Sequence, residues 1–265
     1  MTHEAVPSSF FVTDGDAYVG TILSRGPWDD GSAHGGPVAA LIGREVEQFD
    51  PDPDLATVRY TIELLRPVPL GVPLRLDTAM LRPGKRVRLV GVSVFAGDTE
   101  VARAVALRVK RVPDDAPRSR PDEGIAFRTP DECGAAPLLI EGRVGIMNGL
   151  DVRSASGSAI ATGPATYWFK VERPLVDDEP ITPLTRLLIP ADFGNGVASA
   201  TSFDTHVFIN PELTVHVFRM PDGDWVANDA RTWMEPGGTA VAEGTLTDRD
   251  GPIGRAMQSL FIDSR

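Results

Sequence analysis

Two polar side chains stand out for the company they keep. Asp204 interrupts the run Ser202-Phe203-Asp204-Thr205-His206-Val207-Phe208, and Gln258 interrupts the apolar stretch from Ile253 to Ile262. An acid or amide inside a strand weakens the fold unless something hydrogen-bonds it. Each therefore has either a structural partner at a strand end or a chemical task. A carboxylate can do general acid or base work, and an amide can donate and accept hydrogen bonds.

Other reactive residue types are placed less well. Cys133, the only cysteine, has no histidine near it in sequence, so neither a thiol nucleophile nor a disulfide is expected. No G-x-S-x-G elbow occurs. His206 and His216 lie ten residues apart without the further ligands that zinc requires, so no metal is expected. His34 precedes Gly35 and Gly36, where it can bond backbone or touch a ligand.

The elements that must position these residues follow a repeating order. Pro37 suits a first helical position, and Val38, Leu41, Ile42, Val46 and Phe49 recur at helical spacing up to Asp50-Pro51. Strands are predicted over 58–65, 73–81, 86–95 and 101–112, the last two joined by Ala96-Gly97-Asp98. Residues 113–135, rich in proline and acids, read as a surface connection, and Ser154 to Thr162 as a loop. Beyond them come a strand at 167–171 and a short helix capped by Thr182, with Pro190 ending or kinking it. Five more strands are predicted over 201–209, 213–219, 225–233, 239–247 and 253–262.

The second half restates the first. Arg82-Pro83-Gly84 matches Glu235-Pro236-Gly237 at an offset of 153, which also sets Gly91 on Gly244. An offset of 152 sets Ala102-Arg103-Ala104 on Gly254-Arg255-Ala256, and one of 144 sets Arg66-Pro67 on Asn210-Pro211. Matched turns in one order, between strands of similar length, indicate duplication. The expected units are 1–115, a linker at 116–135, and 136–265. On these offsets Asp204 falls on Tyr60 and Gln258 on Ala106, so the polar pair belongs to the second copy alone.

A formal net charge of −11 argues against nucleic acid, whose binding runs on lysine and arginine. No apolar run approaches the roughly 18 residues of a membrane span. The N-terminus lacks the basic-then-apolar order of a secretory signal, so a cytoplasmic location is expected.

From Trp28 and His34-Gly35-Gly36-Pro37 through Phe203-Asp204, the Trp225 strand, Gly244, Asp248 with Gly251, and Gln258-Ser259-Leu260, the chain resembles the TesB-like acyl-CoA thioesterases, also called acyl-CoA thioesterase II. Gly36-Pro37 stands where the TesB pattern has Gly-Gln, which is closer to an actinobacterial-type branch. The resemblance implies an α+β double hotdog: two antiparallel sheets, each wrapped around one helix and joined edge to edge. It implies hydrolysis of acyl-CoA without a cofactor, with an Asp, a Thr or Ser, and a Gln of the second repeat holding the attacking water. Asp204 and Gln258 match the acid and the amide. The hydroxyl position falls on Trp233, with Thr232 one residue before it. Either a bulge turns Thr232 into the site, or Trp233 walls the acyl tunnel. His34, Gly35 and Gly36 are the expected ligand contacts at the helix start, and Arg82, Lys85, Arg86 and Arg88 either meet CoA phosphates or form a solvated face. A non-catalytic acyl-CoA binder and a hotdog hydratase are the alternative readings, and a homo-oligomer is a further possible partner state.

Overall fold

The structure, a computed structural model, describes residues 5–112, 125–136, 144–158 and 161–265. The first half holds β1 (Phe11–Asp14), β2 (Ala17–Gly20), α1 (Gly35–Phe49), β3 (Leu55–Leu64), β4 (Pro73–Arg82), β5 (Val87–Ala96) and β6 (Thr99–Lys110). The second holds β7 (Leu150–Ser156), β8 (Ala165–Val171), α2 (Pro183–Ala191), α3 (Gly194–Val197), β9 (His206–Ile209), β10 (Glu212–Val217), β11 (Trp225–Glu235), β12 (Thr239–Asp248) and β13 (Gly251–Ser264).

All thirteen strands form one sheet in the order β1-β2-β4-β5-β6-β3-β10-β13-β12-β11-β8-β7, with β9 also paired to β13. Read outward from the β3–β10 seam, the two halves run through the same succession of strands. The seam is antiparallel, with Ile62 opposite Leu213 and Tyr60 opposite Val215. Each half thereby covers the sheet edge that the other would leave unpaired.

The helices lie on the inner face. Val38, Leu41, Ile42 and Val46 of α1 are buried, as the helical spacing predicts, and Leu184, Leu187, Leu188 and Ile189 of α2 are buried with them. The two helices approach closely: a β-carbon on Gly43 would stand 2.6 Å from Leu188 Cδ1. Thr182 caps α2 by accepting from the Thr185 N–H. At the other end Pro190 lacks the N–H that would extend the ladder, and Asn228 donates to its carbonyl at 3.0 Å. Among the described residues, no helix is long and apolar enough to cross a membrane.

Four expectations change. The hairpin β1–β2 and the strand β7 are additional. Ser154 to Ser156 close β7, so the predicted loop begins later, and Ala159 and Ile160 lie outside the described residues. The predicted strand 201–209 survives only as β9. Ser202 breaks it, because its Oγ accepts from Asp204 N–H and its carbonyl from Thr205 and His206 N–H, a side-chain-initiated turn. Of the predicted connection, residues 113–124 lie outside the described residues, while the part from Ile125 onward packs on the outer face of β7, β8 and β11. There Trp168 Nε1 donates to the Arg128 carbonyl at 2.8 Å, and Phe127 meets the indole edge-on at 5.6 Å.

Candidate active site

The amide at Gln258 is buried at 1 % exposure on β13, facing α2 and α3. Its Nε2 donates to Asp192 Oδ1 at 2.9 Å and to the Asp192 carbonyl at 3.0 Å, and its Oε1 accepts from Asn195 N–H at 3.0 Å. The acid beside Gln258 is therefore Asp192, the residue that closes α2. Asp192 Oδ1 also accepts from Asn210 Nδ2 at 2.8 Å, and Oδ2 lies 3.0 Å from His34 Nδ1.

A helix C-terminus is a poor place for an anion, since the last carbonyls carry partial negative charge. The compensation comes from the amide hydrogens of Gln258 and Asn210, and the start of α1 packs against the same carboxylate. A β-carbon on Gly35 would fall 2.7 Å from Asp192 Oδ2, so only glycine lets the two helix ends meet this way. A β-carbon on Gly36 would fall 2.7 Å from the Ile189 carbonyl. The glycines expected to admit a ligand thus admit α2 first, although Gly35 also faces the cavity described below.

His34 caps α1, its Nδ1 accepting from the Gly36 N–H at 3.1 Å, and its ring stacks on Phe193 with centroids 4.5 Å apart. The same nitrogen cannot accept from Gly36 and donate to Asp192 at once. The helix cap and a bond from Nδ1–H to Asp192 Oδ2 are therefore alternatives set by the tautomer of the ring.

This cluster opens on a cavity of about 360 Å³ between the halves. Val38, Leu64 and Val68 line it from the first half, Phe193 and Phe203 from the second, and Met147 from the short turn before β7. Trp28 stacks on Phe203 at 5.3 Å and meets Phe208 edge-on at 4.8 Å, joining the halves above the cavity. The arrangement suits an apolar group held against a hydrogen-bonded carboxylate.

The expected site is only partly assembled. Asp204 lies in the exposed turn that Ser202 starts, and its carboxylate has no hydrogen-bond partner among the described residues. The structure does not bring it to Gln258. The offset of 144 that set Asp204 on Tyr60 does not hold within the strands. Ile62 pairs with Ala104 as Val215 pairs with Ala256, so β3 maps onto β10 at an offset of 153, and Tyr60 corresponds to Leu213. Thr232 sits opposite Ala242, and Ala242 opposite Gln258, so all three face inward on a regular β11–β12 ladder. No bulge is needed at Thr232. Trp233 then faces out, 63 % exposed, and is not a wall of the cavity. Arg88 is half-buried and not free for phosphate, being bound to Asp50 and Asp52 at 2.6 and 3.0 Å, while Arg82, Lys85 and Arg86 are exposed.

Asp192 carried one overlooked signal: an acid set between Ala191 and Phe193 at the end of an apolar helix, where the helix charge opposes it.

Comparison with known proteins agrees with this architecture. Residues 24–109 match the acyl-CoA thioesterase N-terminal domain, and residues 112–262 match the acyl-CoA thioesterase C-terminal domain. No protein of curated function matches the sequence. Among solved structures, a thioesterase of Novosphingobium aromaticivorans shares 21 % identity over 97 % of this chain and 99 % of its own, at a TM-score of 0.75. A thioesterase II of Thermobifida fusca shares 17 % over 97 % and 96 %, at 0.76. The acyl-CoA thioesterase II TesB2 of Mycobacterium marinum shares 17 % over 95 % and 94 %, at 0.71. These likenesses establish the double-hotdog fold, and the two domain matches, in order and along nearly the whole chain, place this protein in the acyl-CoA thioesterase family, whose members hydrolyse acyl-CoA thioesters.

Proposed function

We propose that Asp192 is the general base of this thioesterase and that Gln258 helps hold the attacking water. The observation that carries this reading is the buried Asp192–Gln258 hydrogen bond at the edge of an apolar cavity. Both hydrogens of Gln258 Nε2 are spent on Asp192, and one lone pair of Oε1 on Asn195. One acceptor site remains for a water hydrogen. Asp192 Oδ1 already accepts two bonds, which leaves Oδ2 as the oxygen that takes the proton.

The acyl group occupies the cavity under Trp28 and Phe203, and the CoA portion leaves past the exposed Arg66 and Pro67. A cytoplasmic location, where acyl-CoA is met, belongs to the same proposal. Comparison of Asp192→Asn with Asp204→Asn on a panel of acyl-CoAs tests the base. Asp192→Asn should lower kcat by about 100-fold or more, as loss of a general base does, while Asp204→Asn should stay near the wild-type rate. The reverse ranking would return the role to Asp204.

A further inference from the structure

We propose that the side chain of Asn195 is a catalytic residue, donating a hydrogen bond from Nδ2 to the thioester carbonyl oxygen as that oxygen becomes an anion. Asn195 stands on α3 and is only 7 % exposed. Its backbone N–H is committed to Gln258 Oε1, yet its side chain has no hydrogen-bond partner among the described residues. Its amide atoms are reached by solvent, so they are open to a partner from the cavity. Asn195 lines the cavity, among Phe193, Gly196 and Phe203.

Its position fixes what it can reach. Asn195 N lies 3.0 Å from Gln258 Oε1, and Gln258 Nε2 lies 2.9 Å from Asp192 Oδ1. The Asn195 backbone is thus within one side chain's length of the proposed water. The donor supply points the same way. At the start of α1 the Gly36 N–H is held by His34 and Pro37 has none, which leaves the Gly35 N–H as the helix's remaining donor. A developing oxyanion is well stabilised by two fixed donors in an apolar surround, and Asn195 supplies the second.

The step balances without a cofactor. The water oxygen bonds to the carbonyl carbon, its proton passes to Asp192, and the C=O π pair moves onto the oxygen that Asn195 faces. Collapse re-forms the C=O and breaks the C–S bond. The sulfur leaves with that electron pair and takes the proton back from Asp192, giving a carboxylic acid and CoA.

This inference rests on the assignment of Asp192, so the test measures kcat, KM and Tm for the wild type, Asp192→Asn, Asn195→Ala and Asn195→Asp with straight-chain acyl-CoAs. Asn195→Ala should lose about 100- to 1,000-fold in kcat, with kcat/KM falling equally and KM nearly unchanged. Asn195→Asp, which keeps the shape but sets an acceptor against the anion, should be at least as slow. Melting temperatures should change little, because no protein hydrogen bond is lost, and the isosteric Asp variant serves if the Ala variant does not fold. Near-wild-type kcat in the folded Asn195 variants, alongside a slow Asp192→Asn, overturns the role of Asn195 alone. So does a raised KM at unchanged kcat, which would mark a residue that only binds substrate. A wild type without hydrolysis, or a fully active Asp192→Asn, overturns the Asp192 assignment and this proposal with it.

Discussion

Residues that looked alike as letters part company once their surroundings are known. Thr201 and Thr232 both carry buried hydroxyls without hydrogen-bond partners among the described residues. Either could complete a water site with Asp192 and Gln258, but their neighbours differ. Thr201 lies between Gly196 and Phe203, which both line the cavity, whereas no residue of β11 lines it. Replacement by valine keeps the shape and removes the hydroxyl. Thr201→Val should lower kcat about tenfold, the worth of one hydrogen bond, and Thr232→Val should be kinetically silent. The opposite result would move the water site toward β11. Trp233→Ala should shift stability by no more than about 0.5 kcal/mol, since a surface side chain away from special features contributes little. At this scale Gln258 was legible, because an amide in an apolar strand is conspicuous. Asp192 was not, because an acid after a helix reads as an ordinary cap until the second helix end appears beside it.

The two helices end in the same way and are treated differently by their sheets. Asp50 closes α1 as Asp192 closes α2. Where Asp192 meets Gln258, Asp50 meets Arg108 of β6 at 2.6 Å and Arg88 of β5 at 2.6 Å, and Arg108 also donates to Asp52 O at 3.2 Å. The first half thus keeps the acid and fills its surroundings with guanidinium. Arg108 is 4 % exposed, so removing it leaves a buried gap and Asp50 paired with Arg88 alone. Arg108→Ala should cost about 1.5 to 3 kcal/mol, read as a lower denaturant midpoint, with kcat of the folded fraction unchanged. A parallel fall in kcat would mean that the first half takes part in the chemistry. The long elements were legible because their periods of 2 and 3.6 are local properties of the chain. The break before β9 was hidden, since the Ser202 turn depends on a side chain competing with the sheet for backbone partners.

For the whole molecule the seam matters most. His34 comes from the first half, while Asp192, Asn195 and Gln258 come from the second, and β3–β10 with α1 against α2 holds them in register. Residues 1–112 and 113–265 produced separately should each lack activity, and produced together they should regain it. Activity in the second half alone would show that the α1 start and the cavity wall are dispensable. The duplication itself was readable from matched turns, yet the offset of 144 set β10 nine residues from its true counterpart in β3. Turn motifs recur for local reasons, and only strand pairing distinguishes a true counterpart from a look-alike.

The pairing of Asp50 with arginine and Asp192 with glutamine has a consequence for how such a protein can change. In a dimer of identical single units, each substitution would arrive at both sites at once, and closing one would close the other. A tandem chain removes that obligation. One half is at liberty to trade reactivity for rigidity while the other continues to work, so inheritance acts on two separate texts within a nearly symmetric body.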